Sequence, residues 1–440
     1  AKVAPMLQIH HPLPTSSPSK WMDTGKGPTQ YLPSQSQILK WITDGKVLEN
    51  LEIPYLDLSN QVWEAPFYLE NCRIGTLRAQ GAIFKKEVRW NKCRIQNINF
   101  GKQDLSGDRK ITLFEGAFRL NNVEIEEKAD FQNCQFLGPI GWSYVNTPEK
   151  TVITFFGADF KRGMGVRSSK LGNLDLREAT FFHTLYWDNL ELFGPCNGWK
   201  TNFGGKVSMD SSTFHNKFLV LNSKFEKEVS VLNCTFSQIG YWGESQFLEK
   251  AEFLENRFLS EALFQGSHFH KNCIFASIFK GEVYFRKGCF QGLLDFSTSI
   301  FESKLSLEGI QLEGKIRFSP IQVLSLKTHW KDLESHLLVK DTQDYALQME
   351  EYSFLKEAFQ KEKKYIDMDK AYLAYRRARR KVISQEGILG KVQAGMEILL
   401  LDFTSGYGIL PFRLALSALV IIISFSLLFF FCFSHAIHHI

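Results

Sequence analysis

Between residues 251 and 318 the large apolar side chains recur with a spacing that neither a helix nor an ordinary strand produces. They fall at Phe253, Phe258, Phe264, Phe269, Phe275, Phe279, Phe285, Phe290, Phe296, Phe301, Leu307, Leu312 and Phe318. The steps alternate five and six, with one slip to four after Phe275. Such steps match neither the helical period of about 3.6 nor the strand period of about 2. Elsewhere the unit shows as an eleven-residue pair: LNSKF (221–225) returns as LNCTF (232–236), and QNCQF ends at Phe136, eleven residues after Ile125.

Two positions before the large residue stands a small one, as at Ala129, Cys134, Ala158, Ala179, Ser212, Ser223, Cys234, Ala251, Ala262, Ser267, Cys273, Ser277 and Ser299. A narrow coil can stack one ring per face only where the neighbouring inward position is small. The chain's 39 Phe, against 13 Tyr and 9 Trp, fit that requirement.

These small-x-large pentads resemble the pentapeptide-repeat family, in its Phe-rich variant with alternating five- and six-residue units, over about residues 67–318. The resemblance implies a mainly β fold, a right-handed quadrilateral β-helix in which each face of a coil contributes one unit. At about 22 residues per coil and a rise of about 4.8 Å, the rod would be on the order of 50 Å long. The stretches 136–156 and 190–206 fit the pattern less well and are expected as loops inserted at coil corners.

The ends of such a rod must be covered to prevent edge pairing. At the start, SQSQILKWITDGK offers Ser34 or Ser36 as N-cap, Ile38, Trp41 and Ile42 on one face and Gly45 as a stop, which predicts a short helical cap. After Phe318, Tyr345, Met349, Tyr352, Leu355 and Phe359 share one helical face, and Ala371, Tyr375, Ala378 and Val382 another. A helical hairpin follows, with Asp344 and either Asp367 or Asp369 as N-caps.

The single long apolar run, 414–433, holds twenty residues without a charge, fourteen of them Leu, Ile, Val or Phe. Its length suits one bilayer crossing, and its composition favours insertion by about −4 kcal/mol. Arg376, Arg377, Arg379, Arg380, Lys381, Lys391 and Arg413 precede it, whereas SHAIHHI after it carries no Lys or Arg. The positive side, and with it the bulk of the chain, is expected in the cytoplasm, on a plasma or internal membrane such as a thylakoid. Arg376, Arg377, Arg379, Arg380, Lys381 and Arg413 are candidate contacts for anionic lipid. No signal-peptide pattern opens the sequence, so secretion by that route is not expected.

The expected divisions are a flexible arm (1–33), a helical cap with the first strands (34–66), the solenoid (67–330), the hairpin and a juxtamembrane helix (340–403), a hinge (404–410), the transmembrane helix (411–434) and a short tail (435–440). The hinge holds Thr404, Ser405, Gly406, Tyr407 and Gly408, one letter away from the TVGYG loop of potassium filters. It lies on the basic side of the only span, so Gly406, Tyr407, Gly408 and Pro411 are expected to form a hinge and not a filter. Thr404 to Gly408 in order, then Pro411 and Arg413, resemble the tail of a pentapeptide-repeat membrane family. Many of its members continue into a two-helix ion-channel module, which the sequence does not show after residue 433.

No catalytic constellation, cofactor motif or metal site emerges. Cys72, Cys93, Cys134, Cys234 and Cys273 occupy the small inward slot and read as packing residues. His435, His438 and His439 lack a carboxylate nearby. Trp142, Trp187, Trp199 and Trp242 lie in or near the irregular stretches and are candidate partner contacts, with packing over a gap in the coil as the alternative.

The net charge of +5 favours neither a nucleic-acid clamp nor an acidic DNA mimic. The expectation is a non-enzymatic membrane-anchored scaffold or accessory subunit, without cofactor, whose partners are the lipid bilayer and a membrane protein complex or further copies of itself. A subunit of a pentapeptide-repeat ion channel is the alternative, and a DNA-mimicking inhibitor a lesser one.

Overall fold

A computed structural model describes residues 33–101 and 111–437, with side chains to residue 430. All but residue 33 of the expected N-terminal arm lies outside the described residues, as do His438 and His439. The core is a parallel β-solenoid of about twelve turns running from Leu48 to Lys327. Each complete coil lays down short strands on four faces, and every strand pairs with its counterparts one coil away. Val207, Val229, Ala251, Cys273 and Leu294 stand in register on one face, 22, 22, 22 and 21 residues apart.

One face is a twelve-stranded sheet of two-residue strands, and it shows why the sequence coils as it does. Its inward position is Trp63 in the first coil, then Phe84, Phe114, Phe136, Phe160, Phe181, Phe203, Phe225, Phe247, Phe269 and Phe290, and finally Leu312. Successive rings in this column stack with centroids 4.3 to 5.4 Å apart. Strand spacing and aromatic stacking distance nearly coincide, so a Phe in every coil pairs ring with ring without distorting the ladder. A second column runs through Phe214, Phe236, Phe258, Phe279 and Phe301 at 4.7 to 4.9 Å.

The alternation of five and six has its origin at the corners. Asn222, Asn233, Glu244, Glu255 and Gly266 have left-handed backbones at eleven-residue intervals. In the five-residue steps this residue lies two positions after the ring: Glu255 after Phe253, Gly266 after Phe264, Lys287 after Phe285, Thr298 after Phe296. Several of these corners close with an N–H to C=O bond, from Gly288 to Phe285 at 2.9 Å and from Ser299 to Phe296 at 3.1 Å. A β-turn whose third residue has positive φ turns the chain in fewer residues, and the six-residue corners between Phe258 and Leu307 lack it.

All thirteen small residues identified from the repeat are buried. The serines also satisfy backbone groups that the corners leave without ladder partners. Ser223 Oγ donates to Gly198 O at 2.7 Å and accepts from Thr201 N at 3.1 Å, and Ser245 Oγ does the same for Val220 O and Ser223 N.

Two expectations about this region are corrected. Residues 190–206 are not an inserted loop: Glu191, Cys196 and Asn202 begin regular strands in register with the coils on either side. Within 136–156 the ladder also continues, and the coil from Ile140 to Met164 is only two residues longer than the preceding one from Phe118. Pro and Gly in these stretches had obscured a register carried by hydrogen bonds and by Phe136, Ile140, Leu192 and Phe203.

Both ends are covered. Helix α1 (Gln35–Thr43) closes the start, with Ser34 Oγ accepting from Gln37 N, Ile38 and Ile42 buried, and Gly45 at φ +68° leading the chain away. At the far end lie a one-turn α2 (Trp330–Leu333) and the antiparallel hairpin α3 (Tyr345–Lys361) and α4 (Tyr365–Ser384). Asp344 caps α3 as expected, accepting from Leu347 N at 3.0 Å. Neither Asp367 nor Asp369 caps α4, which begins two residues before Asp367; Asp367 instead meets His329 at 3.0 Å.

The hairpin is fastened to the last coil. Fully buried Glu351 accepts from Phe318 N and Ser319 N, each at 3.3 Å, and Phe354 packs on Phe318. Glu362 bonds Ser325 and Lys327, and Lys364 Nζ reaches Thr328 O at 2.6 Å. Beyond α4 come α5 (Ile388–Glu397), a π-helical turn (Ile398–Phe403) and α6 (Pro411–Ile437).

Candidate membrane-proximal site

Helix α6 holds one stretch, Pro411–Phe430, long and apolar enough to cross a membrane, and none of it is buried in the protein. The segment that delivers the chain to it is where charged residues converge. Asp402 is the one acid in the apolar run ILLLDF, and its carboxylate is held from α4 by two arginines. Arg377 grips it with both Nε and Nη2, at 3.2 and 2.9 Å, and Arg380 Nη1 reaches it at 2.8 Å. One turn earlier, Arg376 Nη2 bonds Glu397 Oε1 at 2.8 Å.

Tyr407 completes the cluster. Its hydroxyl accepts from Arg380 Nη1 at 3.0 Å while the Arg376 guanidinium lies over its ring, 4.8 Å from the centroid. The backbone puts it there: Gly406, Tyr407 and Gly408 are three consecutive residues with φ of +56°, +59° and +84°. Tyr407 N donates to Leu401 O at 2.9 Å and Gly406 N to Asp402 O at 3.1 Å, which wraps the chain around the end of the π turn. Only Gly adopts such a backbone without steric cost, so the left-handed Tyr407 needs a compensating contact, which the two arginines provide.

The electrostatics follow the geometry. Burial alone would raise the Asp402 carboxyl, but the hydrogen bonds from Arg377 and Arg380 outweigh it and hold it below the usual carboxylate range. Burial pushes the Tyr407 hydroxyl up, and Glu397 and Asp402 add to that. For Arg380, burial opposes the charge, yet the Asp402 bond raises its pKa further. Asp402 is thus held as a carboxylate between Arg377 and Arg380, an arrangement suited to bracing the turn.

The structure divides the six basic residues proposed to meet lipid. Arg376, Arg377 and Arg380 are occupied by Glu397 and Asp402. Arg379 and Arg413 are exposed, and Lys381, also exposed, lies over the Tyr345 ring at 4.9 Å. Gly406, Tyr407 and Gly408 form the turn between helices and Pro411 is the first residue of α6. Glu397 and Asp402 were missed; an acid at the end of an otherwise apolar run was the available signal, because such a group needs a partner.

The tryptophan expectation is corrected. Trp142, Trp187 and Trp242 are 1 to 2 % exposed and lie inside the solenoid, Trp242 stacked on Phe264 at 5.1 Å. Trp142 and Trp187 occupy inward positions of in-register strands and Trp242 follows directly on one, so a large ring fills the coil at each. Trp199 alone is on the surface, at 37 %, with Lys200 over its ring. Cys72, Cys93, Cys134, Cys196, Cys234, Cys273 and Cys289 are all unpaired thiols and buried.

Fold and site together define a parallel β-solenoid fastened at its C-terminal end to helices, one of which could span a membrane. No protein-family model, curated protein or solved structure matches the chain.

Proposed function

We propose that this chain is a non-enzymatic, membrane-anchored scaffold of the pentapeptide-repeat type: a rigid solenoid on the cytoplasmic face, held to the bilayer by α6 and offering its side to a membrane protein complex or to further copies of itself. The observation that carries the reading is the unbroken mechanical path from coil to span. Phe318 and Ser319 are tied to Glu351 in α3, α3 packs along α4, and α4 grips Asp402 and Tyr407 at the root of α6. A soluble domain on a flexible tether would need none of these bonds.

Docking requires a stiff surface, and a solenoid supplies one along its whole length because each coil is braced by its neighbours. The experiment is extraction into native nanodiscs followed by mass measurement of the particle. A mass above one chain, from a partner or from further copies, supports the scaffold. A lone chain at cellular concentration, with nothing co-purifying, contradicts it.

A further inference from the structure

Residues 388–403 have two faces of opposite character. Gly390, Ala394, Glu397 and Asp402 are buried, and the two acids are bonded to the arginines of α4. On the other side Leu389 is 85 % exposed, Leu399 66 % and Phe403 75 %, with Val392 and Met396 also exposed between them. These apolar residues recur every three or four positions and form a continuous strip over four turns. An apolar strip of this length facing water marks a contact surface.

The position of α6 identifies what covers the strip. Seven residues, 404–410, separate the end of the strip from Pro411, where α6 begins, so the medium that receives α6 lies within one short turn of Phe403. The opposite face is neutralised and turned toward the rod by Arg376, Arg377 and Arg380. Lys391 is exposed on the same segment, and a lysine beside an apolar strip can extend its ammonium to the headgroups.

We propose that residues 388–403 lie flat in the boundary between headgroups and acyl chains of the bilayer that α6 crosses, as a second, in-plane membrane contact. The proposal rests on the membrane-anchored reading and adds to it. A single span leaves a rod free to tilt and rotate, whereas a span plus an in-plane segment joined by the Asp402 and Tyr407 contacts fixes its attitude to the membrane.

The test places nitroxide labels in the full chain in phospholipid nanodiscs, at Leu389→Cys, Leu399→Cys, Phe403→Cys and Ile422→Cys, each with Cys432→Ser. The other seven cysteines are buried. Circular dichroism matching the parent chain confirms that each labelled chain is folded. Collision with oxygen several-fold above collision with a water-soluble nickel chelate is expected at the first three sites, at a depth of about 5–10 Å, with Ile422 deeper. Water-like collisions at the first three with Ile422 deep overturn the in-plane contact and leave the anchor standing. Water-like collisions at Ile422 overturn both. Labels at 389, 399 and 403 shielded from both reagents and dipolar-coupled between chains would put a second copy on the strip, which also overturns the proposal.

Discussion

Arg380 and Tyr407 are joined by a hydrogen bond of 3.0 Å although 27 residues separate them. The first belongs to the hairpin on the end of the solenoid, the second to the turn that leads into the apolar helix. Asp402 accepts from the same guanidinium nitrogen, so one arginine ties the hinge at two points.

Replacing Asp402 by Ala removes the acceptor and leaves Arg377 and Arg380 facing each other without a counter-charge. A charge-assisted hydrogen bond of this kind contributes about 2 kcal/mol. Amide exchange in residues 398–410 should therefore quicken by about thirtyfold, while exchange in the coils stays unchanged. Equal protection in the variant would mean that the hinge is held by something else.

The ring column makes a separate prediction. Phe203 is 2 % exposed and stacked between Phe181 and Phe225. Phe203→Ala opens a cavity in a narrow coil and should cost about 3–5 kcal/mol, whereas Phe203→Leu should cost clearly less. Urea midpoints of the full chain in detergent measure both. A loss below about 1 kcal/mol for the Ala variant would show that stacking is incidental to coil stability.

Corner residues should separate by backbone and not by side-chain chemistry. Asn222 has φ of 52° and Glu255 of 56°. Asn222→Val places a β-branched residue in the left-handed region and should destabilise by about 1–2 kcal/mol, while Glu255→Gly should be neutral or slightly stabilising. The reverse order in thermal melts would refute the turn assignment.

Glu351 gives the fold a pH dependence. Burial raises its carboxyl from 4.5 to about 7, against the lowering effect of the Ser319 and Phe318 N–H groups and of Arg317, with Asp295 adding to the rise. The folded state therefore holds this proton more tightly than the unfolded chain. Its contribution is fully present below pH 4.5, declines as pH rises to about 7, and is flat above; the span is about 3 kcal/mol. In Glu351→Gln that portion of the slope should vanish. Parallel stability curves for both chains between pH 5 and 8 would contradict the assignment.

Much of this fold was legible because the repeat is a packing rule written directly in the sequence. Phe253 to Phe318 and the small residues two positions earlier announce a coil whose interior takes one ring per face. The eleven-residue recurrence of Asn and Gly at corners was equally present but is diluted by Glu244, Glu255 and Lys287, which adopt the same backbone. Trp142 and Trp187 were misread because nearby Pro and Gly looked like loop chemistry, whereas interstrand hydrogen bonds, invisible in one sequence, carry the register through them. At the membrane-proximal site the arginines stood out by composition. Their partners Glu397 and Asp402 did not, because pairing across 21 to 25 residues depends on how α5 folds back along α4.

The central claim, that the solenoid is held to a bilayer by α6, is tested most directly by floating the full chain with its native membranes after washing in alkaline carbonate and high salt. Retention in the lipid fraction under both conditions is the predicted result, since about twenty apolar residues crossing the hydrocarbon are indifferent to charge screening. Release into the soluble fraction would contradict it.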